Sequence, residues 1–162
     1  MQPLLVLRLL ILLALANGTP VLAKKFLGNH FSRPVDGGGE FLDGQPLLGS
    51  SKTTRGILLA VLATAVGASA MGLGWKIGVL VGSVAMAGDL FSSFLKRRFG
   101  LPAASRATGL DQVPESLFPL LACRRALSLT VSDIVVSVAI FFIGEVFLSR
   151  LLYRLRLRDR PY

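Results

Sequence analysis

Five apolar blocks alternate with polar segments along this chain. Pro3–Leu22 is apolar almost throughout and about 20 residues long, the length that crosses a bilayer core of roughly 30 Å as a helix. Gly56–Leu73 and Trp75–Leu95 follow, separated only by Gly72-Leu73-Gly74, a turn so short that the two helices must run antiparallel as neighbours. Val113–Leu129 is the weakest block: Arg124 and Arg125 interrupt it, and Pro114 and Pro119 flank or kink it. Thr130–Leu152 is again long enough to span. Between the blocks lie two polar loops, 24–55 and 96–112, and after them an arginine-rich tail, Tyr153–Tyr162. The pattern predicts an all-α, polytopic integral membrane protein of about five transmembrane helices in one domain, residues 1–162. Small residues repeat every fourth position at Ala60, Thr64, Ala68 and at Gly74, Gly78, Gly82. Such rows let membrane helices approach closely and read as packing faces.

Composition supports this. Of 162 residues 52% are hydrophobic and only 17% charged, too few to cover a soluble surface of this size. The net charge of +9 suggests nucleic acid at first sight, but the charges sit between apolar blocks, and no nucleic-acid partner is expected. One cysteine, Cys123, excludes an internal disulfide and a Cys-rich zinc site. One histidine, His30, makes a Ser-His-Asp or Cys-His apparatus an unpromising reading; it is expected to be a solvated loop residue.

Both loops and the tail hold most of the Lys and Arg, which places all three in the cytoplasm. Lys24 and Lys25 follow the first block rather than precede it, which favours a retained helix over a cleaved signal. The chain is therefore expected in the cell membrane with its N-terminus outside and its C-terminus cytoplasmic. That topology leaves Arg124-Arg125 outside, where Asp133 is expected to pair with one of them. Arg8 is near enough to the outer end to snorkel. The run Asn17-Gly18-Thr19-Pro20 is expected to break the first helix near the cytoplasmic side, where such breaks line polar cavities.

The candidate chemistry gathers on the cytoplasmic face. Asp89 is embedded in an apolar helix, which is costly unless it is paired or holds a cation. Asp89, Ser92, Ser93 and Lys96 share one helix face by their spacing. Asp89 reads equally as a ligand or as half of an ion pair with Lys96 or Arg97. Asp111, about 20 residues on, reads as a second magnesium ligand or as a helix N-cap. Gly49 to Gly56, with Lys52, Thr53 and Arg55, fails the Walker spacing; it reads as an anion site at a helix start or as ordinary flanking charge. Glu145 is either functional or bonded to Ser149 or a neighbouring serine.

Taken together, these motifs resemble the CDP-archaeol synthase family, integral-membrane enzymes related to phosphatidate cytidylyltransferases. The resemblance runs in order through Asn17 to Pro20, Pro34 to Asp36, Asp43-Gly44, Leu48-Gly49, Lys52-Thr53 and Arg55-Gly56. It continues through Gly88-Asp89-Leu90, Ser93-Phe94, Lys96-Arg97-Arg98 and Gly109-Leu110-Asp111-Gln112, and it includes the ending Leu157 to Tyr162. It implies a reaction of CTP with a membrane lipid phosphate that gives a CDP-activated lipid and pyrophosphate, with Mg²⁺ as cofactor. It assigns Asp89, Asp111 and Lys96 to catalysis, the two aspartates as metal ligands. Lys52, Thr53, Arg55, Asp43, Arg97 and Gln112 fall to the nucleotide site. Two positions depart from the family pattern. The acidic residue usual three positions after Asp111 is replaced by Pro114, with Glu115 next, and the often aromatic position before Arg55 is Thr54. The competing reading is a non-catalytic small membrane protein whose basic loops bind anionic lipid or a partner subunit.

The charge asymmetry generates a first test. A reporter fused after Tyr162 is expected to be active only on the cytoplasmic side; activity confined to the outer side overturns the topology.

Overall fold

The structure, a computed structural model, describes residues 1–28, 30–102, 105 and 107–154, of which 148–154 by their backbone alone. The arginine-rich tail and the family-like ending at 157–162 lie outside the described residues, as does the Ser149 side chain. Five helices follow one another: α1 (Pro3–Leu27), α2 (Thr54–Ala70), α3 (Trp75–Arg98), α4 (Gln112–Cys123) and α5 (Val131–Arg154). Among the described residues there is no strand, only two isolated bridges that pinch the first loop, Pro34 to Thr53 and Glu40 to Pro46.

The bundle is apolar outside as well as inside. Leu4, Leu7 and Ile11 on α1, Leu58, Leu62 and Val66 on α2, and Val131, Val135, Ile143 and Phe147 on α5 are each at least 43% exposed. They recur at helical spacing on outward faces, a surface that suits lipid and not water. By length and composition α1 and α3 can each cross a bilayer. Leu9, Leu12 and Leu13 of α1, Ala68 of α2, Val81 of α3 and Leu120 and Cys123 of α4 fill the centre.

Small residues set the helix spacing, because lipid supplies no hydrophobic drive between helices. A Cβ on Gly78 would lie 2.2 Å from the Thr64 carbonyl oxygen, and one on Gly82 2.2 Å from the Thr64 hydroxyl. The two rows read from the sequence therefore meet between α2 and α3. Gly74 is the exception: it precedes α3 with φ +81° and serves the turn. Gly88 does the same work between α3 and α4, where a Cβ would lie 2.5 Å from the Pro114 carbonyl oxygen and 2.9 Å from the Glu115 nitrogen.

Three expectations need correction. Helix α1 is not broken at Asn17–Pro20; it continues to Leu27 with Pro20 inside it. A proline removes one N–H from the ladder, and here the Thr19 hydroxyl donates to the Leu15 carbonyl at 2.6 Å beside the gap. Lys24 and Lys25 thus fall in the last turn, where cations suit the helix dipole. Helix α4 has 12 residues, about 18 Å of rise. It stops at Cys123 because the backbone folds back: Leu127 N–H reaches Cys123 O, Leu129 N–H reaches Arg124 O at 2.9 Å, and Ser128 adopts φ 50°. Asp133 does not serve Arg124 or Arg125. It forms a capping box with Thr130, accepting from the Thr130 hydroxyl at 2.7 Å while its own N–H donates to that oxygen at 3.2 Å, and it holds the Gln2 N–H at 2.8 Å.

One end of the bundle thus carries the N-terminus, the α2–α3 turn and the α4–α5 turn. The other carries both polar loops. Gly88→Ala is expected to lower stability by about 1–3 kcal/mol through overpacking, whereas Gly18→Ala, with nothing within 4 Å of its Cβ position, should be neutral or stabilising. Thermal unfolding in detergent measures both, and equal midpoints would remove Gly88 as the contact that sets the α3–α4 distance.

Candidate active site

The loop between α1 and α2 is held in shape by its own polar groups. Asp36 accepts the Gly38 N–H at 3.0 Å with one oxygen, and the Leu48 and Gly49 N–H groups at 2.9 and 3.0 Å with the other. Burial works against the Asp36 charge, but these backbone donors outweigh it and hold its pKa below the ordinary carboxylate value. Val35 N–H donates to Lys52 O, and Thr54 N–H to Arg33 O. The segment 49–53 is thereby pressed against the start of α2, where Thr53 caps the helix by accepting the Gly56 N–H at 3.2 Å.

Arg98, at the end of α3, clasps the same loop from the other side. It pairs with Asp43, donates to the Gln45 and Pro46 carbonyls, and lies 4.7 Å from the Phe41 ring centre and 5.0 Å from that of Phe94. Asp43 is thus tied to Arg98 at the loop surface.

Beneath this loop is a cavity of about 580 Å³. Helix α1 contributes Asn17, Pro20, Val21 and Lys24; the loop contributes Ser50, Ser51, Lys52 and Thr53; α2 contributes Arg55, Gly56 and Ile57. Met86, Asp89 and Leu90 come from α3, Glu115 from α4 and Glu145 from α5. All five helices therefore meet at one polar chamber with apolar walls.

Lys52 dominates its electrostatics. Its Nζ lies 2.5 Å from both carboxylate oxygens of Asp89. Desolvation opposes the ammonium, yet Asp89 foremost, then Glu115 and Asp111, outweigh it, and the Lys52 pKa stands above the ordinary lysine value. Glu115 of α4 and Glu145 of α5 line the same cavity as Asp89. The helix-end alternative, Asp89 paired with Lys96 or Arg97, is not the arrangement found. Lys96 is two turns further on and reaches Asp111 at 2.7 Å and the Ser105 carbonyl at 3.0 Å. Arg97 donates to the Pro102 carbonyl at 2.7 Å.

Of the residues singled out in the sequence, Asp89, Lys52, Thr53 and Arg55 line the cavity. Arg55 lines it while its guanidinium holds the backbone carbonyls of Gly28 and His30. Asp111, Lys96, Arg97 and Gln112 do not line the cavity; they lie at the α3–α4 junction. Asp111 stands at the N-cap position of α4 but makes no side-chain cap; its second oxygen accepts the Ala107 N–H at 3.0 Å. Gln112 accepts the Gly109 N–H at 2.8 Å. His30 is exposed, as expected. Glu115 had been visible only as the neighbour of a missing acid. Its placement has a legible cause: Gly88 lets α4 touch α3, and residue 88 adjoins Asp89.

The donor set suits a magnesium ion. Mg²⁺ takes one or two carboxylates with phosphate oxygens and waters completing its shell, and an ammonium already sits as a stand-in cation on Asp89 beside a second acidic group. Among the described residues, no three acidic, His or Cys groups form a metal cage of their own.

Comparison with known proteins agrees with this architecture. Residues 4–162 match the profile of the CarS-like CDP-archaeol synthases. A CDP-archaeol synthase of Sulfurisphaera tokodaii is 34% identical over 91% of this chain and 89% of its own length. One of Pyrobaculum islandicum is 33% identical over 91% of each. A solved structure of an intramembrane enzyme for archaeal membrane lipid biosynthesis superposes with a TM-score of 0.67 at 29% identity, covering 85% of this chain and 90% of that one. With the family profile spanning nearly its whole length, the chain belongs to the CDP-archaeol synthase family.

Proposed function

We propose that this protein is a membrane-embedded CTP:lipid-phosphate cytidylyltransferase. It joins CMP from CTP to the phosphate of an ether-linked archaeal-type lipid and releases pyrophosphate. The observation that carries the reading is the Lys52–Asp89 pair, set beside Glu115 at the loop end of an apolar bundle. The alternative of a non-catalytic lipid-binding protein has no use for facing acidic groups inside a cavity. The orientation that fits puts both loops in the cytoplasm with CTP, the N-terminus outside and the C-terminus inside.

The chemistry is the attack of a lipid-phosphate oxygen on the α-phosphorus of CTP, with the bond to the β-phosphate oxygen breaking. A phosphomonoester has a second pKa near 6 and is mostly a dianion at neutral pH. It needs no general base, so a chain without a catalytic His suffices. The obstacle is bringing two polyanions together in a low-dielectric chamber. Lys52 and Arg55, and beyond them Lys96 and Arg97, supply positive charge for the phosphates. Ser50, Ser51 and Thr53 bring hydroxyl groups to the same cavity. Asp89, with Asp111 across the α3–α4 junction, would hold the magnesium ion, with Asp43 and Gln112 supporting the loops around the nucleotide. When bound, that ion supplies Lewis-acid neutralisation of the phosphate oxygens. Ile57, Met86 and Leu90 give the cavity its apolar walls.

Purified protein given CTP, Mg²⁺ and a panel of lipid phosphates is expected to form a CDP-lipid; no transfer to any ether or acyl lipid phosphate overturns the reading. Asp89→Asn and Asp111→Asn should remain folded yet lose turnover by about a hundredfold or more, since each removes charge from the metal position. Near-wild-type turnover in either removes that residue from the site. Lys52→Ala and Arg55→Ala should weaken CTP binding about ten- to a hundredfold, the value of a charge-assisted hydrogen bond of roughly 1.5–3 kcal/mol. Unchanged affinity in both, measured by calorimetry, reduces this cluster to flanking charge.

A further inference from the structure

The cavity already holds a cation of its own. Lys52 Nζ contacts both oxygens of Asp89 at 2.5 Å and so occupies a carboxylate that a metal ion would otherwise use. Glu115 lines the same cavity from α4, and Lys52 lies within electrostatic reach of it as well. Asp89 therefore already holds a cation at rest. The ammonium comes from the loop, the acids from α3 and α4, so the contact can be exchanged without moving a helix.

Resting on the cytidylyltransferase reading, we infer that Lys52 is a place-holder cation. It offsets the Asp89 charge, beside Glu115, while the site is empty. It leaves for the nucleotide phosphates when metal and CTP arrive together, and Glu115 then joins Asp89 and Asp111 in forming the cation seat. No bond is made or broken in this step; two ion pairs, ammonium–carboxylate and metal–phosphate, exchange partners. The arrangement keeps two facing acidic groups from repelling one another in a low-dielectric chamber. It also discriminates against a bare divalent ion, which must displace an ammonium with no phosphate to receive it. Metal and nucleotide are thereby made to enter as one unit. Glu115 supplies from one helix turn beyond Asp111 the acidic group that Pro114 does not.

The probe is Mn²⁺ alone, titrated into the purified full-length protein in detergent without nucleotide and followed by electron paramagnetic resonance of the free ion. Lys52→Met keeps the apolar stem and removes the charge. It should bind Mn²⁺ about tenfold or more tightly than the wild type, although it binds CTP more weakly. Lys52→Arg should stay near the wild-type affinity. Arg55→Ala removes a cation that lines the same cavity but rests on backbone carbonyls; it should shift Mn²⁺ binding by less than about threefold. Mn²⁺ affinity that is unchanged or weaker in Lys52→Met, or equally tightened in Arg55→Ala, overturns the place-holder. If Lys52→Met does not fold, the comparison is made in a Glu115→Gln background, where Lys52→Met must still tighten Mn²⁺ relative to Glu115→Gln alone. Transfer of CMP by the wild type is measured in parallel. Its absence overturns the functional reading, whereas its presence with no Lys52 effect on Mn²⁺ overturns the place-holder alone.

Discussion

A carboxylate in an apolar membrane helix must be matched by positive charge, and in this protein the matching of Asp89 by Lys52 organises everything around it. The ammonium belongs to a loop and the carboxylate to the interior of α3, so the pair fixes the loop over the helix bundle. The rest of the loop is shaped to deliver that one group. Asp36 gathers three backbone N–H groups, Thr53 caps α2, and Arg98 anchors the far side on Asp43 and two aromatic rings. Without the pair, the cavity would expose an uncompensated acid beside Glu115, and the loop would lose its contact with α3.

The same economy appears at the α3–α4 junction. Gly88 removes the side chain that would keep the helices apart, and Lys96 crosses to Asp111 two turns further on. Adjacent residues 88 and 89 thus divide the labour, one setting the distance and the other carrying the charge. Ser92 reinforces the junction by donating to the Leu110 carbonyl at 2.7 Å. The short α4 fits this arrangement. Its start is dictated by the loop end of the bundle, and its end by the fold-back at Arg124–Leu129, so its length is whatever connects the two.

The long apolar blocks made α1, α2, α3 and α5 legible, because in a membrane both helix faces are apolar and length alone identifies the element. The small-residue rows on α2 and α3 were legible for a related reason: close backbone approach needs a missing side chain, which the sequence records directly. The sequence was silent where two local signals competed. Pro20 read as a breaker, but its single lost hydrogen bond is too small a penalty to end a helix held by packing on α2. Asp133 read as a partner for Arg124 or Arg125, because a capping box with Thr130 is visible only once the helix start is known. In the site, charge type was legible and partnership was not. Asp89 had Lys96 and Arg97 nearby in sequence, yet its partner is 37 residues away on a loop. Glu115 was obscured because Pro114 occupies the position where an acid was expected.

The resting site is internally neutral to a degree that substrates must overcome. Lys52 is bound to Asp89, Lys96 to Asp111, and Arg98 to Asp43, while Arg55 and Arg97 spend donors on backbone carbonyls. On the proposed function, a polyanionic nucleotide and a lipid phosphate would enter by exchanging partners within this charged network and not by filling an open positive pocket. Exchange has a consequence for turnover. A site of bare cations would hold pyrophosphate, the most highly charged product, more firmly than either substrate. A site whose carboxylates reclaim their cations opposes that retention, because each ammonium released from a phosphate has an acid waiting within reach. Asp89 inside α3 and Asp111 at the start of α4 are thus placed to take back the cations that a leaving product releases.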